Sequence, residues 1–146
     1  MTKNKVFPII IFFVIIFPFV SIAQEMNPDA GKLYNEGNSL LKAGNYNGAI
    51  SSYDKALAIE KDYRIFYQKG VAQKKANDLD GSKASLDECL KMKGDFEAGY
   101  NALGGVYFSM GNYQEAIKNF EKVLTLTDNA SVTKKVKKNL SLAYTK

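Results

Sequence analysis

Histidine and tryptophan are absent from the 146 residues, cysteine occurs once and proline three times. Each shortage excludes a class of chemistry. Without histidine there is no Ser-His-Asp or Cys-His device, and the commonest general base and metal ligand is missing. Cys89 alone cannot form an internal disulfide, nor complete a zinc site of nitrogen and sulfur ligands. No G-x-x-x-x-G-K-[ST] phosphate loop and no G-x-G-x-x-G turn occurs. The expectation is a non-enzyme with no cofactor, no metal and no small-molecule substrate. Carboxylates remain the sole route to acid–base work, but Asp54, Glu60, Asp87, Glu88, Glu115 and Glu121 fall in helical patterns whose outward face must be polar anyway.

The one long apolar run is at the start. Lys3 and Lys5 precede a charge-free stretch from Val6 to Val20, which ends in Ser21-Ile22-Ala23. A basic start, an apolar middle and a small-residue end form the three-part pattern of a secretory signal, with cleavage expected before Gln24. An uncleaved anchor over residues 6–22 is the competing reading, but a span needs about 20 apolar residues and this one is shorter and interrupted by Pro18. Either way the folded part is expected outside the cytoplasm, most simply in a bacterial periplasm or secreted. Loss of the two lysines lowers the net charge from +5 to +3, too little to argue for nucleic acid as a partner.

Beyond residue 23 the chain repeats itself. Gly37, Gly70 and Gly104 are spaced by 33 and 34 residues, and so are Tyr46, Leu79, Tyr113; Ala49, Ser82, Ala116; Tyr53, Leu86, Phe120; Ala56, Cys89, Val123; and Leu57, Leu90, Leu124. Each unit holds two helical patterns. In the first, Leu33, Gly37 and Leu40 form one stripe, and after Gly44-Asn45 a second runs through Tyr46, Ala49, Ile50, Tyr53 and Leu57. Gly44 and Gly111 suit a left-handed helix end, and Asn45, Asn77 or Asp78, and Asn112 suit the cap of the next helix. Gly37 and Ala49 remove bulk where two helices cross, and Tyr53 fills the space beside them. The predicted architecture is all-α, a solenoid of three helical hairpins: a short lead at 24–29, repeats at 30–62, 63–96 and 97–130, and a last helix at 131–146. That helix carries Val132, Val136, Leu140 and Ala143 or Tyr144 on one stripe, as a cap over the otherwise exposed final hairpin. Its cluster Lys134, Lys135, Lys137 and Lys138 reads as the solvated side of that cap. Cys89 reads as a small buried hydrophobe.

The strings Leu33-Tyr34-Asn35-Glu36-Gly37-Asn38, Gly44-Asn45-Tyr46-Asn47-Gly48-Ala49-Ile50 and Tyr53-Asp54-Lys55-Ala56-Leu57 resemble the tetratricopeptide repeat. The third unit is as similar, with Tyr100-Asn101-Ala102-Leu103-Gly104 and Gly111-Asn112-Tyr113-Gln114-Glu115-Ala116-Ile117. The resemblance implies a right-handed superhelix whose first helices line a concave groove that holds a peptide or helix of a partner protein. Two departures stand out. Lys61, Gly94 and Asp128 replace the usual proline at the end of the second helix. In the middle unit Gln73 stands where the others carry Leu40 and Tyr107, and Ser82 replaces alanine, so this hairpin is expected to be the softest packed.

The first helices carry a second stripe: Tyr34, Asn38, Leu41 and Lys42; Arg64, Tyr67, Val71, Lys74 and Lys75; Asn101, Gly105, Phe108 and Ser109. The resemblance makes these the candidate groove residues. Their chemistry suits an acidic segment with apolar anchors, while the lysines also read as ordinary solvated ones. Gly104-Gly105 reads as close packing. Domains of this family that clamp the acidic C-terminus of cytosolic chaperones use lysines, asparagines and an arginine at places occupied here by Tyr34, Asn38, Gln68, Ala98 and Ala102, of which only Asn38 agrees. The expected function is a protein-interaction adaptor or scaffold of the cell envelope. The alternative is a structural or regulatory subunit that self-associates through its solenoid ends.

Overall fold

The computed structural model describes residues 25–146, so the segment read as an export signal and the cut before Gln24 lie outside the described residues. Seven helices follow: α1 Pro28–Lys42, α2 Tyr46–Ile59, α3 Tyr63–Lys75, α4 Leu79–Met92, α5 Glu97–Ser109, α6 Tyr113–Leu126 and α7 Ala130–Tyr144. The described residues contain no strand, and no helix among them is long and apolar enough to cross a membrane.

Local chemistry sets the helix ends. Asn45, Asp78 and Asn112 accept from the N–H groups of Gly48, Gly81 and Glu115, a cap at the start of each second helix worth about 1 kcal/mol. Gly44 (φ 80°) and Gly111 (φ 76°) take the left-handed turn before it, and Asn77 (φ 64°) takes it in the middle unit. Of the two residues the sequence left open there, Asp78 caps and Asn77 turns. Asn129 accepts from the Ser131 and Val132 N–H groups and starts α7.

Each helix packs chiefly on its neighbours in the chain, and between repeats the first helices α1, α3 and α5 touch in turn. That pattern is an α-solenoid. The crossing columns are buried: Ala49, Tyr53 and Ala56 in the first hairpin, Ala116, Phe120 and Val123 in the third, all at 2 % exposure or less. A Cβ built on Gly37 would come within 2.5 Å of the Tyr53 ring, and one on Gly104 within 2.7 Å of the Phe120 ring. These glycines let the hairpins close. The Tyr53 hydroxyl donates to Asn38 Oδ1 at 2.8 Å across the same hairpin.

The polar groups of the middle hairpin are hydrogen-bonded across it. Ser82 Oγ donates to the Gly70 carbonyl at 2.6 Å, Ser85 Oγ donates to Gln73 Oε1 at 2.6 Å, and Gln73 Nε2 donates to Asp78 Oδ2 at 2.9 Å. The expected soft spot is stitched by buried hydrogen bonds, which compensate the polar groups they desolvate. At the far end Val136, Leu140 and Ala143 of α7 join the core of the third hairpin, while Tyr144 stays exposed and donates to Glu121 Oε1 at 2.7 Å.

Candidate functional site

Side chains of α3, α5 and α7 enclose two adjoining clefts. The larger, about 400 Å³, is lined by Val71, Lys74, Lys75, Asn101, Ala102, Gly105 and Asn139, over a floor of Gly70, Ser82, Leu86 and Val106. The smaller, about 190 Å³, is lined by Lys74, Gly105, Phe108, Ser109, Phe120, Asn139 and Leu142. Lys74, Gly105 and Asn139 belong to both, so the two form one continuous depression. Neither contains an acidic side chain.

Helix periodicity explains the convergence. Val71, Lys74 and Lys75 lie three and four residues apart on α3, and Asn101, Gly105, Phe108 and Ser109 repeat that spacing on α5. The residues opposite them on the same helices, Ala72 and Leu103, are buried in the core. Lys74 is partly buried, and no carboxylate pairs with it or with Lys75: the ion pairs of the described residues use Lys32, Arg64, Lys69, Lys83, Lys91, Lys93 and Lys118. Burial, with a smaller contribution from neighbouring Lys75, holds the Lys74 ammonium below the ordinary lysine range. Lys75 is exposed, its ammonium 5.9 Å from the centre of the Tyr46 ring. Asn101 Oδ1 is enclosed without a hydrogen-bond partner.

The two adjacent glycines of α5 differ. Gly104 is a packing residue, as expected, but Gly105 is not. A Cβ there would meet only the Lys74 side chain, with Nζ at 2.8 Å. Inside a helix such a glycine costs about 1 kcal/mol relative to alanine, and no core contact requires it.

Seven of the thirteen candidate groove residues meet in these clefts: Val71, Lys74, Lys75, Asn101, Gly105, Phe108 and Ser109. The others have different surroundings. Tyr34 packs on Tyr53 with ring centres 6.1 Å apart, and Asn38 holds the Tyr53 hydroxyl. Leu41 packs against the core of the first hairpin, and Lys42 is exposed in the last turn of α1. Arg64 pairs with Asp62, the cap of α3. Burial alone would raise the Asp62 carboxyl, but hydrogen bonds and charge from Arg64 leave it lowered. Tyr67 stands edge-on to Phe96 at 5.2 Å, and burial raises its hydroxyl. Sequence reasoning missed Asn139 and Leu142, reading α7 only as a cap; the signal was Leu142, an apolar residue left off the core stripe and 51 % exposed.

Cys89 is buried, and that burial, with some influence from Asp62, pushes its thiol up to about 11, which leaves it unreactive. Among the described residues no group of three or more Cys, Asp and Glu side chains is placed to hold a metal.

Family models described as tetratricopeptide repeat match residues 30–63, 63–96 and 98–127. No curated protein matches the sequence. Among solved structures, the first such domain of Spaghetti (RPAP3), bound to the HSP90 peptide SRMEEVD, is similar over 81 % of this chain and 94 % of its own, with TM-score 0.72 and 22 % identity. The TPR2B domain of yeast Sti1, in its pHsp70 complex, is similar over 82 % and 98 %, with TM-score 0.78 and 15 % identity. The Sgt2 domain from Aspergillus fumigatus covers 81 % and 78 %, with TM-score 0.74 and 20 % identity. At such identities the likeness is one of fold.

Proposed function

The chain belongs to the tetratricopeptide-repeat family, and from that premise we propose that it is a non-catalytic adaptor of the cell envelope, holding an extended segment of a partner protein in the cleft between α3, α5 and α7. The observation that carries this reading is the cleft itself: open, partly apolar, free of acidic side chains, and furnished with a lysine that has no ion-pair partner among the described residues. Family membership and the binding of chaperone peptides by the RPAP3 and Sti1 domains support peptide recognition in general. The same chaperone peptides are not the ligand proposed here. Of the five clamp places only Asn38 agrees, and its oxygen is already taken by Tyr53.

A photo-crosslinking side chain at Ser109, on the cleft, should link one discrete partner in cells, whereas the same group at Lys55, exposed on α2, should not. Lys74→Glu with Lys75→Glu should abolish the Ser109 product. Linkage of the same species from both positions would sink the groove reading. Exposed Leu142 and Tyr144 on α7 favour the second reading, self-association through the solenoid end; a crosslinked homodimer from Ser109, unaffected by the lysine changes, would select it. The envelope location rests on residues 1–23. Intact mass of the exported protein should begin at Gln24, and recovery of only full-length chain from membranes would replace the cleaved form with the anchored one.

A further inference from the structure

We propose, resting on the groove reading above, that Lys74 seated on Gly105 is a carboxylate-binding subsite, and that Phe108 with Leu142 of α7 forms an apolar pocket beside it. The bound segment therefore presents an acidic group next to a large apolar side chain.

Three independent features converge on this subsite. The Lys74 ammonium lies in a partly buried position without a counter-ion among the described residues, between walls that contribute no acidic group. A desolvated cation left unpaired in the free protein gains more from an incoming carboxylate than a solvated one does. Burial also lowers its affinity for a proton, and an opposing carboxylate would restore it. Gly105 is the second feature. Its absent Cβ leaves the space that Lys74 Nζ occupies, and a Cβ built there would meet, outside its own helix, nothing within 4 Å but that side chain. A helix-weakening residue stands where only the lysine uses the space. The third is the wall made by α7: Asn139 lines both clefts, and Leu142, 51 % exposed, closes the smaller one beside Phe108 and Phe120. At about 190 Å³ that cleft has room for one apolar side chain. Because Lys74 and Gly105 border both clefts, the acidic and apolar groups sit next to each other along the segment. Asn101 adds an amide to the wall of the larger cleft, its Oδ1 enclosed without a hydrogen-bond partner. Of the clamp places, Tyr34, Asn38, Gln68 and Ala98 do not line it, and the fifth, Ala102, lines the larger cleft with a methyl group only, so neither Lys74 nor Gly105 is a clamp place.

The full chain is immobilised and challenged with a random heptapeptide display library. Enriched peptides should carry Asp or Glu beside Leu, Ile, Met or Phe. Lys74→Gln should weaken a synthetic copy of such a peptide by roughly tenfold or more, the scale of a hydrogen bond to a charged group. Lys134→Gln, the same charge change at a distance from the cleft, should not. Gly105→Ala should weaken it several-fold while the melting temperature holds or rises, a combination that a merely structural glycine would not give. Leu142→Ser should remove the apolar preference. Peptides with a free and an amidated C-terminus separate the two carboxylate sources: loss on amidation assigns a chain-terminal carboxylate, retention a side chain. Enriched peptides without acidic residues, indifferent to Lys74→Gln yet weakened by Phe108→Ala, would overturn the subsite and leave the groove standing. Peptides indifferent to every cleft substitution would overturn the groove reading as well.

Discussion

At the scale of single residues, the same residue type takes opposite roles according to what faces it. Gly37 meets the Tyr53 ring, which is fully buried and tied by its hydroxyl to Asn38, so a methyl there has nowhere to go. Gly37→Ala should destabilise by about 1–3 kcal/mol through overpacking, offset by about 1 kcal/mol of helix propensity; a fall in melting temperature measures the difference. Lys74 makes the complementary case. Its lowered pKa means the folded chain binds that proton less tightly than the unfolded chain. The protonated form therefore costs stability at neutral pH, and the cost is relieved as pH rises through the folded pKa toward the ordinary lysine value. Lys74→Gln should melt higher than wild type at pH 7, with the gap closing on the alkaline side. A gap that is constant with pH would assign the gain to packing instead.

At the scale of elements, the middle hairpin shows how a repeat tolerates polar residues in its core. Gln73, Ser85 and Asp78 form a connected set, with each donor matched to an acceptor. Gln73→Leu should cost about 1–3 kcal/mol, because it leaves the Ser85 hydroxyl buried without its acceptor and frees Asp78. Gln73→Leu with Ser85→Ala should recover most of that loss, since both partners become apolar. Additive losses in urea unfolding would mean the two side chains are not coupled.

At the scale of the whole molecule, α7 has two duties. It covers Ile117, Phe120 and Val123 of the last hairpin, and it supplies Asn139 and Leu142 to the cleft. Ending the chain after residue 129 should expose that core, lower the melting temperature and favour association. The coupling between neighbours in a solenoid makes the third hairpin suffer most, so amide exchange should accelerate in α5 and α6 before α1 and α2. Uniform acceleration across all six helices would mean that the molecule unfolds as a single unit.

By itself the sequence determined the hairpins. Their columns of small and large residues recur every 33 or 34 positions, and the contacts that close a hairpin, such as Gly37 with Tyr53 and Gly104 with Phe120, join residues 16 apart in the chain. Helix period and caps are local, so three hairpins and a terminal helix could be read without coordinates. The groove was only half legible. A second stripe on each first helix names residues that can face outward, but which of them face one another depends on the angle between successive hairpins and on where α7 comes to rest. Tyr67 went to packing on Phe96 at the start of α5 for that reason, while Asn139 and Leu142, distant in sequence from Lys74, came to share its cleft; Tyr34 and Asn38 went to Tyr53 within their own hairpin. Whether a glycine packs on the core or under a side chain of the cleft was likewise decided only in three dimensions. Gly104 and Gly105 are consecutive in the chain, and the 100° turn between neighbouring helix positions puts one against Phe120 and the other beneath Lys74.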